Sequence, residues 1–182
     1  MQSAVRDEQN LPGWVRVGSI AAIAVPQLVT GAWGVVAPRH WFDHFPGIGA
    51  NLVAAEPPFN AHLASDAGAG FLAAGMAVAI AATLGRRLLL LFALGMYGVG
   101  AVPHLLYHAT NPAPGLTDGQ DIVSVLMLAI GLAVAGVLAW GTWKTAPGAV
   151  GHDESASIDD TGAGHGREPN GPSGGTNGQA SG

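Results

Sequence analysis

His62 and Asp66 are four residues apart, and so are His104 and His108. Residues at that spacing share one face of a helix, so each pair forms a column on a helix surface. Imidazole nitrogens and a carboxylate are donors that zinc, copper or iron accept. Together His62, Asp66, His104 and His108 would make a three-nitrogen, one-oxygen ligand set for a transition metal. His40, Asp43 and His44 form a third compact group, and Asp121 and Tyr97 are further candidates to contribute. A bis-histidine haem through His62 and His104, or a quinone, would use the same donors, but nothing in the spacing selects either over a single metal.

Two other uses of these groups stand beside metal binding. Polar side chains near helix ends can join neighbouring helices in a structural network, or snorkel to water, and His108 near a helix C-terminus is favoured by the dipole alone. They can also line a proton or solute pathway. Asp66 is the residue expected to matter most, because an ionisable group inside a span is costly and needs a partner. The sequence has no GxxxxGK[ST] loop, no HExxH helix and no Gly-x-Ser-x-Gly elbow. No motif assigns an enzyme activity, and the reading leans away from one.

The elements that must position these groups are transmembrane helices. Only 10% of the 182 residues are charged while 49% are hydrophobic, whereas soluble domains carry roughly 25% charged residues. The absence of cysteine excludes disulfide staples, thiolate metal sites and a CxxC relay. A net charge of −5 argues against nucleic acid as a partner, since phosphate binding needs clustered Lys and Arg. The partner implied throughout is the lipid bilayer, with a second copy or another membrane protein as further possibilities.

Charges fall between four uncharged runs, 17–37, 67–85, 88–117 and 122–143. Each is long enough for the roughly 20 residues of helix that cross a hydrocarbon core. The first run, about 21 residues long, exceeds the apolar region of a cleavable signal peptide and is expected to be retained. The expected fold is all-α, an integral membrane four-helix bundle with helices at about 15–37, 61–85, 87–110 and 118–143. Asn60 should cap the second helix, and Thr117 with Gln120 has the spacing of a capping box for the fourth. The cluster Asn111 to Gly115 should end the third helix near Thr110. Pro26 should bend the first helix and Pro103 should free the Val99 carbonyl. Ala69 with Ala73, and Gly131 with Ala135 and Ala139, have the small-residue spacing of helix contacts.

Residues 1–14 read as a cytoplasmic lead, 15–144 as the transmembrane domain and 145–182 as a disordered acidic cytoplasmic tail. The tail holds ten of the 28 glycines, and one basic against five acidic residues, with little apolar surface to offset chain entropy. Arg6, Arg16, Arg86, Arg87 and Lys144 gather at the end holding both termini, and only Arg39 lies opposite. The positive-inside rule then places both termini in the cytoplasm of a bacterial inner-membrane protein. With alternating helices, His40, His44, His62, His104 and His108 share the outer end with Asp43, Asp66, Asp118 and Asp121. At 1.5 Å per residue, Asp66 and His104 are each about 9 Å inside that end. Pro38 to Gly47 should form a short interfacial helix, its histidines facing headgroups or capping the bundle.

The stretch Pro58-Phe59-Asn60-Ala61-His62 followed by Asp66 and Gly68, with Pro103-His104-Leu105-Leu106-Tyr107-His108, resembles a group of bacterial four-span membrane proteins, DoxX-like in general shape. The Pro38 to Gly47 segment is similar as well, and the likeness covers about Gly31 to Ala109. It implies a four-helix membrane fold and transfers no activity. Where those proteins often have a carboxylate between Asn and His, this chain has Ala61. The function expected is a small bacterial membrane protein whose outer His/Asp cluster takes a transition metal or a redox partner. The alternatives are a non-catalytic accessory or assembly subunit with a structural cluster, and an oligomeric transporter or channel.

Overall fold

The computed structural model describes residues 11–144, and all of its regular secondary structure is helical. The acidic tail, Arg6 and most of the N-terminal lead lie outside the described residues. Helix α1 runs Gly13–Val36, α2 is the short Pro38–His44, α3 is Ala61–Leu84, α4 is Arg87–Thr110 and α5 is Asp118–Lys144. All but α2 are long and apolar enough to cross a membrane. At 1.5 Å per residue, 24 to 27 residues span about 36–40 Å, against a hydrocarbon core of about 30 Å. The chain is a membrane-spanning helical protein.

Local chemistry sets the boundaries. The Asn60 side chain accepts from the Leu63 amide at 3.1 Å and starts α3. Gly85, with φ of 68°, stops it by turning left-handed, its amide donating to the Ala81 and Ala82 carbonyls. Two residues later α4 begins, so α3 and α4 are antiparallel neighbours. The Asn111 amide side chain donates to the Tyr107 carbonyl at 2.9 Å where α4 ends. The Thr117 amide donates to Gln120 Oε1 at 3.0 Å and the Gln120 amide to Thr117 Oγ1 at 3.4 Å, a reciprocal cap for α5.

Inside α1, residues Ser19–Ala24 form a π-helical stretch between two α-helical ones. Pro26 follows two residues later and cannot donate to the turn before it. The wider turn occurs where the sequence leads to a bend, and α-helix resumes at Val25 with the proline in its first turn. Pro103 sits within an unbroken α4.

The spans pack as a ring, α1 on α3, α3 on α4, α4 on α5, and α5 back on α1. The last contact is partial: the backbone of α5 approaches α1 only along Gly13–Ala24. Burial follows the same gradient. In α4 the buried residues are Leu90, Ala93 and Leu94, all near its start, and in α5 they are Ala135, Leu138, Gly141 and Thr142, all near its end. The core, with Val15, Ile23 and Val78 at its centre, occupies the end where α1 begins and α3 ends. At the opposite end α1 and α3 stay together through glycine. A Cβ on Gly31 would stand 2.5 Å from the Leu72 nitrogen, and one on Gly68 would stand 2.8 Å from the Gly34 carbonyl carbon. The backbones touch because no side chain intervenes.

Candidate functional site

The end of the bundle away from the core is assembled from α2, the first turns of α3 and α5, and the last turns of α4. Pro38 opens α2, and Trp41 anchors it: the indole is 5% exposed, its ring 6.4 Å from Phe71 on α3 and 5.7 Å from Phe45. Trp33 at the end of α1 donates from Nε1 to His40 Nδ1 at 3.0 Å, so the proton of a neutral His40 sits on Nε2. His44 stacks on His40 at 4.3 Å between ring centroids and its Nδ1 lies 3.0 Å from the His40 carbonyl oxygen. Arg39 donates to Asp43 at 2.7 Å and covers the Phe59 ring at 4.9 Å. The expected short helix is therefore present, with Trp41 and Phe45 in ring contact and the two histidines as a stacked, exposed pair.

On α3, His62 Nε2 and Asp66 Oδ2 are 3.4 Å apart, with the side chains 87% and 62% exposed. On α4, the His104 and His108 rings meet edge to face at 4.8 Å, and Tyr107 lies 5.4 Å from His108. Asp121 accepts from the Ala113 amide at 3.2 Å, which fastens the α4–α5 connection to the first turn of α5. The loops at this end also touch, the Gly115 amide donating to the Ala55 carbonyl at 3.2 Å. Beside this contact is a depression of about 370 Å³ lined by residues such as Asn51, Ala54, Leu116 and Gln120, none of them titratable.

The single ligand set expected from His62, Asp66, His104 and His108 is not assembled. Among the described residues no three His, Cys, Asp or Glu side chains come together as a group that could hold a metal ion. The reason is azimuth. Ala64 and Gly68 are the residues α3 turns toward Gly34 of α1. Asp66 lies two positions from each, about 200° round the helix, and so faces outward. Equal depth placed Asp66 and His104 on one level, but depth does not fix direction. What the structure brings together instead are local pairs, His40 with His44, His62 with Asp66 and His104 with His108. The further contributors are occupied locally, Asp43 by Arg39 and Asp121 by the loop amide.

Tyr97 does not join the histidines. Its side chain lies beside that of Gln27 of α1, and a Cβ on Gly131 of α5 would lie 3.3 Å from its hydroxyl oxygen. This pair links α4 to α1 across a level where their backbones do not meet. Gln27 was not singled out from the sequence, although an amide inside an uncharged run, seven residues after Ile20 and four before Gly31, is a readable signal for an inward polar contact. Ser19, fully buried at the start of the π-helical stretch, has a hydroxyl with no hydrogen-bond partner.

The opposite end is held by arginines. Arg16 donates from Nε and Nη2 to the carbonyls of Ala82 and Thr83 at 3.0 and 3.1 Å. Arg87 donates to those of Thr142 and Trp143 at 3.2 and 3.1 Å. No family model, curated protein or solved structure matches the chain.

Proposed function

We propose that this is a multi-pass protein of the bacterial inner membrane, with both termini in the cytoplasm, acting as a non-catalytic accessory or assembly subunit. In this reading its outward end presents imidazole and carboxylate groups to a partner. The observation that carries it is the exposure of those groups. His62, Asp66 and His104 are exposed, each tied to a neighbour on its own helix, so they are displayed and do not converge on an enclosed chamber. The incomplete packing of the outer half supports the same reading. The outer parts of α4 and α5 have no buried residue, which leaves a surface another membrane protein can cover. The resemblance to DoxX-like four-span proteins belongs to this proposal and adds a fold, not an activity.

Photo-crosslinking in intact membranes tests it. A benzophenone side chain in place of His44 or His108 should give a discrete adduct with another polypeptide, while one in place of Leu88, on an exposed surface at the other end, should give none. Only lipid adducts from both outer positions would overturn the accessory reading.

A further inference from the structure

One helix face is out of keeping with the lipid it would otherwise meet. The exposed side of α5 presents Ile122, Leu126, Ile130, Val137 and Trp140, large apolar groups suited to hydrocarbon. Among the exposed residues that α3 turns away from α1 are His62, Asp66, Ala69, Gly70, Ala73 and Ala77. The first two are among the least favourable groups to set against acyl chains, and the other four barely project. Gly70 has no explanation inside the chain, since a Cβ there would meet nothing within 4 Å. Glycines also stand in open space on α4, but Phe92, Met96 and Val99 project between them. The α3 face is smooth over the two turns from Ala69 to Ala77, bordered by exposed Leu63 and Met76 and followed by Ile80, and along that stretch it admits another helix at the close spacing small residues allow.

At the outer end of this face, His62 Nε2 and Asp66 Oδ2 are 3.4 Å apart. Two ligands on a tetrahedral zinc ion, each bonded at about 2.0–2.1 Å, are themselves separated by about 3.4 Å. The pair thus supplies half of a tetrahedral site, and among the described residues no third ligand of the chain joins it. A second copy with the same topology, related by a two-fold axis along the membrane normal, brings its own pair to the same height. We propose that two copies meet through the α3 faces and that their His62–Asp66 pairs close one zinc site of two nitrogens and two oxygens. The zinc neutralises both carboxylates where neither has another partner, so the site and the dimer complete each other. The inference is independent of whether another polypeptide covers α4 and α5.

The test uses the full-length chain in lipid nanodiscs after chelator treatment, titrated with zinc alone. The expected result is one ion bound for each two chains, with the intense visible bands of a tetrahedral centre when cobalt replaces zinc. Because the chain has no cysteine, Ala73→Cys gives a clean probe: oxidation should yield a covalent dimer whose amount rises with zinc. Asp66→Asn should abolish zinc binding and the zinc-dependent rise, Asp66→His should retain both, and Gly70→Leu should block the dimer by keeping the helices apart. Asp66 is exposed, so these variants fold, and circular dichroism checks that they do. One ion per chain, binding undiminished in Asp66→Asn, or no Ala73→Cys dimer with zinc would each overturn the proposal.

Discussion

Arg16 and Arg87 each reach past their own helix to the final carbonyls of a neighbour, Arg16 to Ala82 and Thr83 of α3, Arg87 to Thr142 and Trp143 of α5. The last carbonyls of a helix have no intrahelical donor. Two guanidinium N–H groups meet two terminal carbonyls at once, Ala82 also accepting from the Gly85 amide, and the positive charge lies at the negative end of the dipole. Arg87 also covers the Trp143 ring at 5.2 Å. Hydrogen bonds to charged groups are worth about 1.5–3 kcal/mol when shielded, and partial exposure of Arg16 reduces that. Arg16→Ala is expected to lower stability by about 1 kcal/mol, read as an earlier thermal transition in detergent. Arg16→Lys should recover only part of the loss, because an ammonium group cannot reproduce the planar fork. Full recovery with lysine would mean that charge alone matters there.

At the scale of helices, the α1–α3 contact is made by absence of side chains. A Cβ on Gly31 would crowd the Leu72 nitrogen at 2.5 Å and the Gly68 oxygen at 2.7 Å, and backbone atoms cannot swing aside as a side chain can. Gly31→Ala and Gly68→Ala should therefore each destabilise the bundle by about 1–3 kcal/mol. Gly95→Ala on α4, where a Cβ meets nothing, should be neutral or stabilise by up to about 1 kcal/mol, since alanine is the better helix former. Equal effects at all three positions in chemical denaturation would show that helix propensity, not contact, governs them. The same glycines mark the limit of what the sequence reveals. Asn60, Thr117 and Gln120 were legible because a cap acts within three residues of itself. Gly31 and Gly68 were not, because in a chain with 28 glycines the few that touch across α1 and α3 look like the others. The Ala69 and Ala73 spacing, conversely, does not serve packing within the chain, for both residues are exposed. For the candidate site, spacing identified which pairs share a face, as His104 and His108 do. It could not say which way a face points, so Asp66 was expected beside His104 and is turned outward.

Across the whole molecule, charge and packing divide the bundle the same way. The tightly packed end holds Arg16, Arg87 and Lys144 bound to carbonyls or aromatic rings, Lys144 at 4.3 Å from the Trp140 ring, with Arg86 exposed at the tight turn. The loosely packed end has one arginine, Arg39, and its charge is matched by Asp43 at 2.7 Å. Basic residues near short loops tend to be retained on the cytoplasmic side, so the proposed topology predicts the imidazoles and carboxylates on the outer side. Single cysteines in the cysteine-free chain test this directly. Asn51→Cys, exposed in the loop before α3, should react with a membrane-impermeant maleimide on intact cells. Thr83→Cys, exposed beside the α3–α4 turn, should react only after permeabilisation. The opposite pattern would put the histidine pairs in the cytoplasm. It would also require the basic end to have been translocated, an outcome the single salt-bridged arginine at the other end gives no physical reason to expect.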